Sequence, residues 1–531
     1  MKKAFRHLLA TLLALAMICA LAAPVFADGP ADHTFKAYQI FTGDVAANAN
    51  GDTVLSNVEW NVKDINVTYF LNLLSTDKTL GSDFNTQMDA AKVAEKIKEY
   101  TNSPEKAIAV ARCAYNSRTL SAGAPMTSSS FTAASDGYYL LVDESPNGIT
   151  ISSAGNFSVL TLCKAGISVT LATKYVNPTV AITVEDNDSG VNSFGSSADH
   201  ATNESFKFKM TAKLPKSDAY KYYYEYGLSF EHTLASTIQF EGNDSNIADD
   251  VNVTITCGSD KKDLQKGTDY SIFFPTAESD KYDISIHNVK NHFSADELEA
   301  NGATIDVTYK AHLKNTAAVT TDGTKLTTNT GSVYLIFPDN PHKHGDYCGQ
   351  TATSTAYVYT YGVTIKKVGD NENGRPLLGA TFRLYSKQTC AENEEIYLKS
   401  AAPLGGNNEY LIADSTTTTG VDLVTPSDGL ININGLDAGT YYLKEIKAPD
   451  GYNTLTEPVT LTIAAEHTET SIKVGLGTFD SGTMTKIVIN NSGVVLPSTG
   501  GMGTTIFYVV GGLLMVGAAV LLVTKKRMQK N

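Results

Sequence analysis

The run Tyr359-Thr360-Tyr361-Gly362-Val363-Thr364-Ile365-Lys366-Lys367 decides the fold class. Tyr359, Tyr361, Val363, Ile365 and Lys367 occupy alternate positions, so on a strand they share one face. Alternation over this length marks a β-strand, because a helix repeats every 3.6 residues. The same period returns in Tyr441-Tyr442-Leu443-Lys444-Glu445, in Phe206-Lys207-Phe208-Lys209-Met210 and in Tyr282-Asp283-Ile284-Ser285-Ile286. Turn signals such as Gly242-Asn243-Asp244 fall between such runs. Many short alternating runs predict a mainly β chain of tandem immunoglobulin-like β-sandwiches.

The polar residues within these runs carry a second message. Lys367 shares its face with apolar side chains, where a charged amine is costly. Glu445 is in phase with Tyr441 and Leu443, and Asn490 is in phase with Val488 at the end of the run 486–489. Desolvation favours the neutral forms of an amine and a carboxyl group. A neutral amine can attack an amide carbon while a protonated carboxyl polarises the carbonyl and passes protons to departing ammonia. The product would be a Lys–Asn isopeptide bond between the first and last strands of one domain. Asn491 is a rival acceptor, and Lys366 a rival amine of opposite strand phase. A plain ion pair between Lys367 and Glu445 is the alternative without bond formation.

Working outward, residues 358–493 form a third domain with Val363, Ile365, Phe382, Leu384, Leu443, Val459 and Leu461 as its expected core. Pro376, Gly379, Gly451 and Pro458 mark its turns. Residues 175–357 form a β-rich middle domain. Residues 28–174 are expected to be α+β, opening on a strand over 33–41. Ala90, Val93, Ala94 and Ile97 then recur at helical spacing. Ser103 and Pro104 announce a second helix, and strands over 137–143 and 157–163 close the domain.

Both ends read as targeting segments. Lys2, Lys3 and Arg6 precede an apolar stretch over 8–23, and Val25-Phe26-Ala27 provides a cleavage site, so residues 1–27 form a signal peptide. Residues 506–523 are uncharged and long enough to cross a bilayer as a transmembrane helix. Lys525, Lys526, Arg527 and Lys530 follow and would stay cytoplasmic. Seven of the 42 Lys and Arg lie in 1–27 and 500–531, with none of the 56 Asp and Glu. The exported part therefore holds 35 basic against 56 acidic residues, a net of about −21. Such a chain has no basic stripe for nucleic acid.

Cys113, Cys163, Cys257, Cys348 and Cys390 survive processing, and none forms a C-x-x-C pair. Outside the cell, bridges Cys113–Cys163 and Cys257–Cys348 are open possibilities, with free buried thiols as the other reading. His342, His344, Asp346 and Cys348 lack a second ligand pair, so they read as a solvated loop and no metal is expected. No phosphate-binding loop, H-E-x-x-H, G-x-S-x-G or dinucleotide fingerprint occurs, and neither turnover catalysis nor a cofactor is expected.

Leu496-Pro497-Ser498-Thr499-Gly500, followed by the apolar span and basic tail, resembles the cell-wall sorting signal read by sortases, over 494–531. The resemblance implies cleavage between Thr499 and Gly500 and transfer of the Thr499 acyl group to an amine. Lys367-Val368, Pro376-Leu377-Leu378-Gly379-Ala380-Thr381-Phe382-Arg383-Leu384-Tyr385 and Tyr441-Tyr442-Leu443-Lys444-Glu445-Ile446-Lys447-Ala448-Pro449-Asp450-Gly451-Tyr452 resemble the collagen-adhesin B-type domains of Gram-positive pilins. That likeness implies Lys367 as nucleophile, Glu445 as acid/base and Asn490 as acceptor. The middle domain resembles the isopeptide-forming fimbrial type, but Ile182, His232 and Asp339 stand where its Lys, Asp and Asn belong. No isopeptide is expected there, and a Cys257–Cys348 bridge is a candidate staple.

Val169-Thr170-Leu171-Ala172-Thr173-Lys174-Tyr175 resembles a degenerate pilin motif, which makes Lys174 either the amine that accepts a neighbouring subunit or a surface lysine. The resemblances together imply a structural subunit of a covalent pilus, secreted and anchored in the cell wall. Its partners would be a sortase, other pilin subunits and, covalently, peptidoglycan, with any host ligand unspecified. The alternative is a monomeric anchored adhesin that binds a host ligand.

Overall fold

A computed structural model describes residues 34–529 apart from 50, 127–129, 145–157, 171–176, 189–192, 242–250, 276–280, 322–327, 339–340, 343–348, 402–407, 415 and 494–502. The expected signal peptide, Lys174, Asp339, His344, Asp346, Cys348 and Leu496, Pro497, Ser498, Thr499 and Gly500 lie outside the described residues. The chain forms two compact units. One is Met1–Gly362 with the returning segments Gly435–Gly439 and Ile463–Gly482; the other is Val363–Asn434, Thr440–Thr462 and Thr483–Asn531.

The first unit begins with an antiparallel sheet in the order Thr53–Trp60, Thr34–Ala47, Gly137–Glu144, Ser158–Cys163. Its two faces follow the strand period. Tyr38, Ile40, Leu140 and Val142 meet the helices Val67–Thr76, Ala90–Lys98 and Pro104–Ser117. Phe35, Ala37, Tyr139 and Leu141 turn the other way, towards Phe131 and Cys163. Ala90–Lys98 is the helix that the spacing predicts. Asp89 caps it by accepting from the Lys92 N–H, and Ala90 and Val93 are buried. Pro104–Ser117 starts where expected, although the Ser103 side chain makes no capping hydrogen bond. Cys113 belongs to the helical side and Cys163 to the opposite side of the same sheet, and both are free thiols. The Cys113–Cys163 bridge is therefore corrected to two separate buried thiols, because the sheet lies between them.

Two seven-stranded sheets follow and share one core. Ser205–Leu214 pairs with Ala303–Leu313 without a break, from Ser205 opposite His312 to Leu214 opposite Ala303. Phe206, Phe208, Met210, Ala212 and Leu214 alternate inward from the first strand, and Ile305, Val307, Tyr309 and Ala311 from the second. Lys281–Ile286 is a strand, as its alternation requires.

In the second unit a sheet runs in the order Leu398–Ser400, Glu409–Ile412, Leu430–Leu436, Tyr361–Gly369, Thr485–Asn490. The last two are parallel neighbours, with Lys367 opposite Val488 and Gly369 opposite Asn490. Val363, Ile365, Phe382, Leu384, Leu443 and Leu461 are buried, as expected. Val459 is only half-buried because it opens its strand beside exposed Glu457. A C-terminal helix, Gly503–Met528, is apolar and long enough over Thr505–Met528 to cross a membrane, and it ends in Lys525, Lys526 and Arg527.

Phe208 is fully buried and stacks on Tyr309 at 5.6 Å between ring centroids. Phe208→Ala is expected to cost about 3–5 kcal/mol, read from urea denaturation of the full chain.

Candidate crosslinking site

The site rests on the parallel pairing of Tyr361–Gly369 with Thr485–Asn490. Residues 363, 365 and 367 project to the buried face, while Lys366 is half-exposed. On the partner strand Val488 and Asn490 are buried, while Asn491 is exposed. Strand phase thus brings Lys367 and Asn490 together and leaves both rivals outside. Glu445 follows Leu443 inward on Gly439–Lys447, and Tyr441, two residues earlier, is half-exposed. The Gly429 carbonyl accepts from the Lys367 N–H at 2.8 Å. Gly429 has φ +73°, and a Cβ there would lie 2.6 Å from the Lys367 carbonyl oxygen, so the turn accepts only glycine.

Lys367, Glu445 and Asn490 have 0%, 5% and 1% of their surface exposed, so the cluster is dry. Lys367 Nζ donates to Asn490 Oδ1 and, at 3.3 Å, to the Val488 carbonyl. It lies 3.8 Å from Glu445 Oε1. Asn490 Nδ2 donates to both carboxylate oxygens of Glu445, at 3.0 and 2.8 Å, and to the Asn453 carbonyl at 2.8 Å. The Leu455 N–H donates to Glu445 Oε2 at 2.9 Å and fixes the carboxylate from the far side. Burial pushes the Lys367 amine down to about 8, against the opposing pull of Glu445.

This arrangement differs from a plain ion pair. The amine addresses the amide oxygen, next to the carbonyl carbon. The carboxylate sits between the amine and the amide nitrogen, where it can carry a proton from one to the other. Sequence periodicity gave no sign of the Asn453 carbonyl or the Leu455 N–H, because backbone groups of a following turn leave no residue-type signature.

The corresponding positions of the middle sandwich hold different chemistry. Ile182 is buried in the apolar core. His232 is buried and bonded on both ring nitrogens. The Ser332 carbonyl, which can only accept, lies 2.9 Å from Nδ1, so Nδ1 carries the proton and Nε2 accepts from the Tyr309 hydroxyl. Burial lowers the His232 pKa to about 4. His342 is also buried. Its Nε2 lies 2.8 Å from Ser158 Oγ and its ring packs on Tyr115, so it is a packed side chain and not part of a solvated loop.

A family model described as a prealbumin-like fold domain (SpaA) matches residues 362–475, and one described as an LPXTG cell wall anchor motif matches 489–530. A fimbrial subunit type 1 of Actinomyces viscosus is 25% identical over 294 residues, 51% of this chain and 52% of that protein. The trypsin-resistant surface T6 protein of Streptococcus pyogenes serotype M6 is 24% identical over 375 residues, 57% of this chain and 59% of that one. The chain thus spans between half and two-thirds of the length of these relatives. Among solved structures, the T6 backbone pilin of serotype M6 Streptococcus pyogenes aligns over 88% of this chain and 100% of that one, at 13% identity and a TM-score of 0.46. The major pilin SpaD of Corynebacterium diphtheriae aligns over 87% and 93%, at 16% identity and a TM-score of 0.40. The anchor match and the apolar C-terminal helix mark a surface protein held in the cell wall.

Below pH 6.5 an unfolded chain protonates the position-232 imidazole, whereas the folded state resists until about pH 4. Stability therefore falls as pH drops across that window. The loss attributable to His232 should reach about 3 kcal/mol, measured by urea denaturation against a His232→Gln variant that lacks the titration.

Proposed function

We propose that this chain, which belongs with the Gram-positive sortase-assembled pilins, is a structural subunit of a covalent cell-surface pilus. The observation that carries the reading is the dry Lys367–Glu445–Asn490 cluster between two parallel strands, in a chain that ends in a cell wall anchor motif. Relatives named as a fimbrial subunit and a surface T protein support the pilus over a monomeric adhesin.

Assembly uses the sorting signal. A sortase cleaves between Thr499 and Gly500 and passes the Thr499 acyl group to an amine. Within the fibre that amine belongs to Lys174 of another subunit, and at the base it belongs to peptidoglycan. The protein is itself a substrate of that chemistry and turns over no substrate of its own.

The subunit also closes a bond within itself, once. Neutral Lys367 attacks the Asn490 amide carbon, forming Nζ–Cγ. Glu445 takes the proton from Nζ and delivers it to Nδ2, and the Cγ–Nδ2 bond breaks to release ammonia. The product replaces a buried amine and a buried carboxamide with one amide. It also closes a loop of 123 residues, counted from Lys367 to Asn490. On chain-entropy grounds such a closure removes about 4–5 kcal/mol of freedom from the unfolded state.

Mass spectrometry of the folded chain should find it lighter than its sequence by one ammonia, about 17 Da. Lys367→Ala, Asn490→Ala and Glu445→Ala should each restore the full mass, and Lys366→Ala should leave it reduced. A full-mass Lys366→Ala variant would overturn the assignment. On cells, SDS-resistant multimers should form a ladder that Lys174→Ala abolishes; a single band from the unaltered chain would point to the adhesin.

A further inference from the structure

A second polar cluster lies in the first unit, where no motif announces it. Asp186 ends the strand Thr179–Asp186, Asp188 lies in the turn two residues on, and Asp199 ends Ser197–Asp199. Asp437 and His467 come from the two returning segments. Ligand atoms of Asp188, Asp199 and Asp437 all lie within 4.8 Å of one another, and so do those of Asp186, Asp188 and His467. Three carboxylates in that space repel one another unless something positive stands among them.

Asp199 supplies the independent sign. It has no exposed surface, and its Oδ2 accepts from the Tyr361 hydroxyl at 2.6 Å. Its Oδ1 is buried and has no hydrogen-bond partner, with His467 Nε2 at 3.7 Å. Buried carboxylate oxygens almost always find a donor. Around it stand two more carboxylates and the His467 imidazole, whose Nδ1 lies 3.0 Å from Ser197 Oγ and whose Nε2 lies 3.7 Å from both Asp186 Oδ2 and Asp199 Oδ1. His200, 2% exposed, has its Nδ1 3.8 Å from Glu204 Oε2, and it forms a ligand-spaced group with Glu204 and the same Asp437.

We infer that Asp188, Asp199 and Asp437 bind a hard divalent cation of the calcium type. The donors are all oxygens, the class that calcium prefers over softer metals. Two oxygens that each sit about 2.3–2.6 Å from one calcium ion are at most about 5 Å apart, so the observed spacing suits a shared ion. Asp188 is exposed, which gives the ion a way in and leaves room for water ligands. An ion would hold Gly435–Gly439 to strand ends of the sandwich that lie more than two hundred residues earlier. Its effect should therefore be conformational stability. The inference stands apart from the pilus reading, since it concerns folding and not polymerisation.

The test uses the full chain, stripped with EDTA and titrated with calcium chloride in a calorimeter, with unfolding temperature as a second readout. Saturable uptake of one ion and a raised unfolding temperature are expected. Asp199→Asn and Asp437→Asn should weaken uptake at least about tenfold by removing charged ligands. In EDTA they should unfold no earlier than the parent, because they remove like-charge repulsion. Asp188→Asn, at an exposed position, tests the same point without disturbing the interior. Asp260→Asn, on an exposed strand, should bind as the parent does. No saturable calcium heat, or uptake unchanged in the Asp188, Asp199 and Asp437 variants, would overturn the site and leave a cluster that only shares protons.

Discussion

An amine without water is the constraint on which the second unit turns. Lys367 has no exposed surface, and among the described residues its amine meets an amide, a backbone carbonyl and one carboxylate. Removing an ammonium ion from water costs several kcal/mol even after relaxation, and one carboxylate seldom repays it. The interior therefore favours the neutral amine, the form the proposed bond formation requires. Apolar packing by Val363, Ile365 and Phe382 serves stability and chemistry through the same exclusion of water. Glu445 is held by the Leu455 N–H and the Asn490 amide, so its carboxylate is fixed in the position the proposed proton transfer would need.

The strand arrangement gives that bond a mechanical meaning. The second unit begins at Val363 within the strand Tyr361–Gly369, its last stretch opens at Thr483 just before the strand Thr485–Asn490, and the two strands are parallel neighbours. A Lys367–Asn490 bond links the way in to the way out. Tension from an upstream residue to the anchor would run through 361–367, cross the new amide and continue from 490. The residues between them would carry none of it. Hydrogen bonds between parallel strands yield one after another or together under shear, whereas an amide yields only by covalent cleavage. A fibre of subunits so bonded would keep its length while its sandwiches stay folded.

Much of this was legible in the sequence because strands leave a two-residue signature. The alternation from Tyr359 to Lys367 announced both the strand and the inward lysine, and Leu443 and Val488 did the same for Glu445 and Asn490. Phase alone separated Lys367 from Lys366. What periodicity cannot carry is the third dimension. Cys113 and Cys163 looked like a pair along the chain, but Cys113 sits on a helix packed against one face of the sheet and Cys163 turns to the other face. The loop reading of His342 missed its packing on Tyr115. The return of Gly435–Gly439 and Ile463–Gly482 to the first unit has no local signature at all.

The acidic cluster was invisible for that last reason. Asp186, Asp188 and Asp199 read as ordinary turn and strand-end residues, and Asp437 and His467 stand more than two hundred residues away. The two polar sites answer one problem, charge brought into a dry interior, in opposite ways. At Lys367 the unlike groups are of matched number, and condensation can remove the amine and the amide together. At Asp199 the groups are of like sign, so no condensation among them is available. His467 offers one imidazole to Asp186 and Asp199, and the oxygens spaced to share one ion are where the proposed cation would supply the rest. On these proposals one site would make its stabilisation permanent, and the other would make it depend on the surrounding medium.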